Sequence, residues 1–156
     1  MTDLTALFTD LVRLETRLYN VLDARLKAEH ALPLGQFEFL RFIAAHGTAR
    51  VYDLAREMAI TVGATSKAVD RLEAAGRVRR TANPSDRRSS LVELTPAGAD
   101  LLAAATPTVE DELQTWVGSV LPAPVVDQLA TSLSMLRQRA ELDQRTDRHH
   151  SSTADS

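Results

Sequence analysis

The stretch GRVRRTANPSDRRSSLVELTPAG, residues 76–98, decides the fold. Upstream of it, apolar residues recur at three- and four-residue steps; within it the period drops to two. Val78 and Arg80 fall on one side of an extended segment and Arg79 on the other, and Val92 and Leu94 alternate with Glu93. Between them Ala82-Asn83-Pro84-Ser85-Asp86 is a run rich in turn formers. The pattern predicts a two-stranded hairpin, with strands at 77–82 and 89–94 and a loop at 83–88. Gly76 stops the helix before it. Thr95-Pro96 opens the helix after it, Thr as cap and Pro as first helical residue. Charge concentrates here too: Arg77, Arg79, Arg80, Arg87 and Arg88 lie within twelve residues of a chain whose formal net charge is −3.

Working outward, Leu4, Leu7, Phe8, Leu11, Leu14, Leu18, Val21, Leu22 and Leu26 mark one long amphipathic helix over 3–29. After Pro33 and Gly35, the residues Phe37, Leu40, Phe42, Ile43 and Ala44 mark a second helix that Gly47 ends. A short helix follows at 51–58. Thr61 caps the next one, whose inner face is Val62, Thr65, Val69 and Leu72. Beyond the hairpin a helix runs from 95 to about 117. Gly118 and the Pro-Ala-Pro of 122–124 then precede a last helix striped by Val125, Val126, Leu129, Leu133 and Leu136. The tail from 144 to 156 lacks periodicity and large apolar residues, the pattern of a disordered segment.

The expected fold is therefore mainly α with a small β-hairpin wing: a winged helix-turn-helix plus N- and C-terminal dimerisation helices. Segments 1–30 and 95–143 are assigned to dimerisation, since a small domain cannot cover both apolar stripes, and 31–94 to the winged lobe. With aromatics at only 4%, the core must be built from Leu, Val and Ala, which favours helices. The absence of cysteine excludes disulfides and thiol redox sensing. The N-terminus lacks the basic start of a secretory signal, and no apolar run approaches the roughly 18 residues of a membrane span. The expected location is the bacterial cytoplasm, with no membrane partner.

Residues 50–90 hold nine Lys/Arg against five Asp/Glu, leaving nine basic and sixteen acidic residues elsewhere. A basic middle between acidic ends is the footprint of an anion-binding surface, nucleic acid foremost. Residues 51–76 have the form of a helix-turn-helix with its turn at Ala59-Ile60-Thr61. A helix laid in the major groove needs small residues at its start and a few polar side chains to read base edges. Gly63 and Ala64 meet the first need; Thr61, Thr65, Ser66 and Lys67 meet the second, with Arg71 on the same outer face. In the wing, Arg79, Arg80, Arg87 and Arg88 supply positive charge, and a loop ending in Asp86-Arg87-Arg88 suits insertion into a narrow minor groove. Asp86 would repel phosphate unless it pairs with an arginine, for which Arg88 is the natural partner.

Asp86-Arg87-Arg88-Ser89 followed by Leu91, Val92, Leu94, Thr95 and Gly98 resembles the wing of the multiple-antibiotic-resistance regulator (MarR) family. Leu54-Ala55-Arg56, Val69-Asp70-Arg71-Leu72-Glu73 with Gly76, and Leu34, Gln36, Phe37 and Leu40 agree with it, so the resemblance covers about 4–142. Arg77 stands where the family usually has an apolar residue. The resemblance implies a homodimeric transcription factor on a pseudo-palindromic double-stranded operator, with Arg88 as the minor-groove arginine and Asp86 as its brace. It also implies a small aromatic or anionic effector that releases the DNA. Arg13, Arg17, Tyr19, His30, Phe37, Arg41, His46 and Trp116 have chemistry suited to holding one, although salt bridging, core packing or helix capping explains each as well.

No metal site or cofactor is expected: His149 and His150 are adjacent in the tail, and no His pair has helical ligand spacing. Nor is an enzyme, for no nucleophile–base constellation, phosphate loop or paired-acid motif occurs. Two other readings stand beside the ligand-released repressor: a DNA-binding regulator without a ligand, and a winged-helix protein-interaction module. The second would be expected to lose the wing arginines.

Overall fold

The structure, a computed structural model, describes the backbone of residues 1–152 and the side chains of 1–142; the tail expected at 144–156 lies outside the described side chains. The chain forms two compact units, Met1–Glu112 and Leu113–Ser156. In the first, helix α1 (Leu4–His30) leads into α2 (Leu34–His46), strand β1 (Ala49–Arg50), α3 (Val51–Glu57), α4 (Val62–Ala74), β2 (Val78–Ala82), β3 (Ser90–Leu94) and α5, which starts at Pro96 and runs to Leu113. In the second, a π-helical turn, Gln114–Gly118, precedes α6 (Ala123–Ser152). The mainly helical, winged fold is as expected. The compact units divide the chain differently from the functional segments assigned above, because the end of α1 and most of α5 pack with the winged lobe.

Helix ends follow local chemistry. Asp3 caps α1, its carboxylate accepting from the amides of Thr5 (2.9 Å) and Ala6 (3.2 Å). Both helices of the helix-turn-helix end in a left-handed residue closed by a six-to-one hydrogen bond. After α3, Ala59 has φ 52° and Ile60 N–H donates to Ala55 O; after α4, Gly76 has φ 71° and Arg77 N–H donates to Leu72 O at 2.8 Å. Glycine adopts that conformation freely, whereas Ala59 is held in it against a steric cost of about 1 kcal/mol.

The core of the first unit draws on nearly every element: Leu22 and Leu26 of α1, Phe37, Phe39, Leu40 and Ile43 of α2, Leu54 of α3, Val69 and Leu72 of α4, Val78 and Val92 of the sheet, Ala105 and Val109 of α5. Along α1 burial begins only at Leu22; Leu4, Leu7, Phe8, Leu11, Val12 and Leu14 are exposed. In the second unit Val125, Leu129, Leu133 and Leu136 are exposed as well.

The expected hairpin forms, with Val78 opposite Leu94 and Arg80 opposite Val92. It is part of a three-stranded antiparallel sheet of order β1-β3-β2, with Ala49 opposite Val92 and Arg50 opposite Leu91. Two residues are too few to show alternation, so β1 leaves no periodic signal. Val62, expected on the inner face of α4, is 50% exposed. It is in phase with Thr65, Val69 and Leu72, yet it occupies the first helical position, where the core beneath the helix has ended.

Candidate nucleic-acid interface

The elements expected to meet DNA are α4 and the loop between β2 and β3. Thr61 caps α4 as expected, its hydroxyl oxygen accepting from Ala64 N–H at 3.2 Å. Gly63 and Ala64 are exposed, and an added Cβ at Gly63 would meet nothing within 4 Å. The start of α4 is thus open to close approach. Lys67 and Arg71 are exposed farther along, and Ser66 is half-buried. Thr65 does not join them. It is fully buried, and its hydroxyl donates to Thr61 O at 2.9 Å. A hydroxyl sealed beneath the helix and already bonded cannot read a base edge, so Thr65 serves the capping turn instead.

The wing tip is built by two successive turns. Asp86 N–H donates to Asn83 O and Ser89 N–H to Asp86 O. Side chains repeat the pattern: Ser85 N–H donates to Asn83 Oδ1 (3.0 Å), Arg88 N–H to Asp86 Oδ1 (2.9 Å), and Asn83 Nδ2 to Ser89 Oγ (2.9 Å). Asp86 therefore braces Arg88 through the main chain. The expected carboxylate–guanidinium pair does not form, because the Asp86 side chain is turned back to close its own loop. Beside the sheet, the Arg50 guanidinium is raised above its ordinary pKa chiefly by its bond to Asp53, with Asp86 adding a smaller attraction. Arg50 has no signal in the sequence, since only the pairing of β1 with β3 brings it to the wing.

The arginines divide sharply. Arg79 Nε donates to Glu93 Oε1 at 2.6 Å across the strand pair. Arg80 is held at three points: Nη2 to Asp70 Oδ1 (2.6 Å), Nη1 to Glu73 Oε2 (2.6 Å), and its own amide to Glu73 Oε1 (3.1 Å). Partial burial disfavours the charge on Arg80, but the Asp70 and Glu73 carboxylates outweigh it and raise its pKa. Arg80, expected on the stem to contact phosphate or to pack, thus ties β2 to α4, its guanidinium held by two carboxylates. Arg87 and Arg88 are exposed, and neither they nor Lys67 and Arg71 have an ion-pair partner among the described residues.

A second clamp seats the wing stem on α5. Thr95 Oγ1 donates to Gly76 O (2.6 Å) and accepts from Gly98 N–H (3.0 Å), while Thr95 N–H donates to Arg77 O (3.1 Å). The chains approach so closely that a Cβ on Gly98 would lie 1.9 Å from Arg77 O. The spacing of Thr95 and Gly98 has this steric origin. Arg77 itself reaches back to Ala97 O at 3.4 Å.

The residues with effector-binding chemistry have differing surroundings. Arg13, Arg17 and Tyr19 are exposed on α1; Tyr19 lines an open groove with Glu15, Thr16 and Asn20. Phe37 is 2% exposed and belongs to the core. Arg41 pairs with Glu38 at 3.1 Å. His46 donates from Nδ1 to Phe42 O (2.8 Å) and stacks on the Phe42 ring. Trp116 is exposed in the second unit. His30 sits in a polar network: its Nε2 is 2.8 Å from Thr108 Oγ1, and that hydroxyl donates to Glu29 Oε2. Arg25 bonds Glu29 and Glu112, and the Glu29 carboxyl is held below its ordinary pKa first by Arg25 and then by Thr108. Among the described residues there is no His/Asp/Glu group able to hold a metal and no helix long and apolar enough to cross a membrane.

Comparison with known proteins places this geometry. A family model described as "MarR family" matches residues 32–90. The multiple antibiotic resistance protein MarR of Salmonella typhimurium is 33% identical over 99 residues, 60% of this chain and 69% of that protein. The uncharacterised HTH-type regulator YfiV of Bacillus subtilis is 37% identical over 70 residues; the match spans 45% of this chain and only 42% of YfiV. Among solved structures, the MarR family regulator Sco3205 of Streptomyces coelicolor, in complex with DNA, superposes with a TM-score of 0.78 at 26% identity, covering 86% of this chain and 85% of that one. With its recognition helix, its wing and this likeness in sequence and fold, the chain belongs to the MarR family of DNA-binding transcriptional regulators.

Proposed function

We propose that this protein is a homodimeric repressor that binds a pseudo-palindromic operator and is released by a small aromatic or anionic ligand. The reading rests chiefly on one observation: an open helix start and two exposed arginines without ion-pair partners among the described residues, Arg87 and Arg88, lie on neighbouring elements, with the wing tip fixed by its own turns. α4 enters the major groove, and Arg88 enters the flanking minor groove, where focused negative potential favours a guanidinium. Lys67, Arg71 and Arg87 contact phosphates. Dimerisation is supported by the exposed apolar residues of α1 and α6, each a stripe that water covers at a cost. Release by a ligand rests on the family resemblance and on the exposed Arg13, Arg17 and Tyr19 of α1.

A gel shift with DNA flanking the protein's own gene tests the core of this reading. Specific, steeply salt-dependent binding is expected, weakened roughly 30-fold in Arg88→Ala with unchanged sedimentation as a dimer. Binding no tighter than to random DNA sinks the proposal. A thermal-shift screen of aromatic and carboxylic acids tests the effector, since a ligand of the native state raises the melting temperature.

A further inference from the structure

The recognition helix begins with apolar side chains that the fold does not use. Val62 is 50% exposed and Ile60 44% exposed, on either side of the capping Thr61. Exposed Ala64 follows, and the space around Gly63 is open. A scattered surface valine needs no explanation. Here, though, a β-branched residue stands at a half-exposed helical position outside the core cluster, where it lowers helix propensity. The polar side chains nearby are few: Thr65 is buried, Ser66 is half-buried, and the exposed Thr61 hydroxyl, which accepts the capping amide, keeps only its own proton to donate. The side chains at the start of α4 therefore present mainly methyl groups. Exposed Lys67 and Arg71 beyond it favour a nucleic acid over a protein as the occupant.

We infer that Val62, with Ile60 beside it, is a specificity-determining residue that reads thymine through its C5 methyl group. In the major groove that methyl is the one apolar mark on a base edge, and it separates T·A from the other pairs without a hydrogen bond. The inference rests on α4 being the major-groove helix. It adds what that helix prefers: a thymine in each half-site opposite the start of the helix.

The operator sequence need not be known for the test. Binding sites are selected from a random duplex library with the full-length protein. Each thymine in the selected site is then replaced by uracil, which removes only the methyl. One thymine per half-site is expected to matter: its replacement weakens binding about fourfold in one half-site and about tenfold or more in both, as removal of a buried methyl predicts. In Val62→Ala the same replacement has an effect below twofold, and the protein stays folded with a melting temperature within about 2–4 °C of wild type, because Val62 is half exposed and lies outside the core. If the wild-type protein selects a defined site but is insensitive to uracil at every thymine, apolar reading is wrong while DNA recognition stands. A sensitivity that persists in both Val62→Ala and Ile60→Ala overturns the assignment to these residues. Selection that enriches no site at all removes the DNA reading, and this inference with it.

Discussion

The stem and the tip of the wing carry the same residue type and treat it oppositely. On the stem, Arg79 is paired with Glu93 and Arg80 is locked to Asp70 and Glu73. At the tip, Arg87 and Arg88 have no ion-pair partner among the described residues, and the neighbouring Asp86 carboxylate is spent on a backbone amide. A cluster of arginines thus divides into mortar and probe. Net charge does not distinguish them; the partners do, since a guanidinium already holding two carboxylates has little charge left to offer a phosphate.

The largest effect is expected where the stem is anchored. Gly98→Ala places a methyl against Arg77 O, which backbone cannot easily yield, and should cost about 3 kcal/mol of stability by thermal or urea unfolding. A cost below 0.5 kcal/mol, on the order of an ordinary surface change, would break the view of the stem as a rigid mount. Next comes the tip: Arg88→Ala should lose about 2 kcal/mol of operator affinity, roughly 30-fold, with no change in melting temperature.

Arg80→Ala should be smaller and different in kind. Affinity falls roughly fivefold and the melting temperature by about 2–4 °C, while the salt dependence keeps its slope. A slope reduced by about one would mean that Arg80 contacts phosphate after all. Asp23→Asn supplies the control. Asp23 accepts from Lys27 and from Leu34 N–H (2.9 Å), which together hold its pKa below the ordinary carboxylate value. A carboxylate with a depressed folded pKa stabilises above its unfolded pKa of about 3.9 and loses that contribution as pH falls through the folded value. The variant should therefore be less stable by about 1 kcal/mol at neutral pH, converge with wild type in strong acid, and bind DNA unchanged. If it weakens binding as Arg80→Ala does, the effect of Arg80 is one of stability alone. Smallest of all, Arg79→Ala should alter neither affinity nor stability by more than about 0.5 kcal/mol, because its pair is exposed.

Much of this was legible in the sequence because it is local. The drop in period from 3.6 to 2 after Gly76, the turn formers of 83–86, the cap at Thr61 and the Thr95-Pro96 helix start are decided within a few residues, by steric and hydrogen-bonding preferences that need no distant partner. What the sequence left open depends on residues far apart. Strand β1 is defined only by its pairing with β3, and Arg50 reaches the wing only through it. Val62 keeps the helical phase of the core but not its burial, since phase is local and the extent of the core is not. The roles of Arg79, Arg80 and Asp86 turn on which carboxylate or amide lies within 3 Å. The sequence by itself determined the main helices, the hairpin, their order and the family; only the tertiary structure decided which charges are neutralised inside the fold and which remain for a partner. Element formation is a short-range property of the chain, whereas the disposition of a charge is set by groups that only folding brings together.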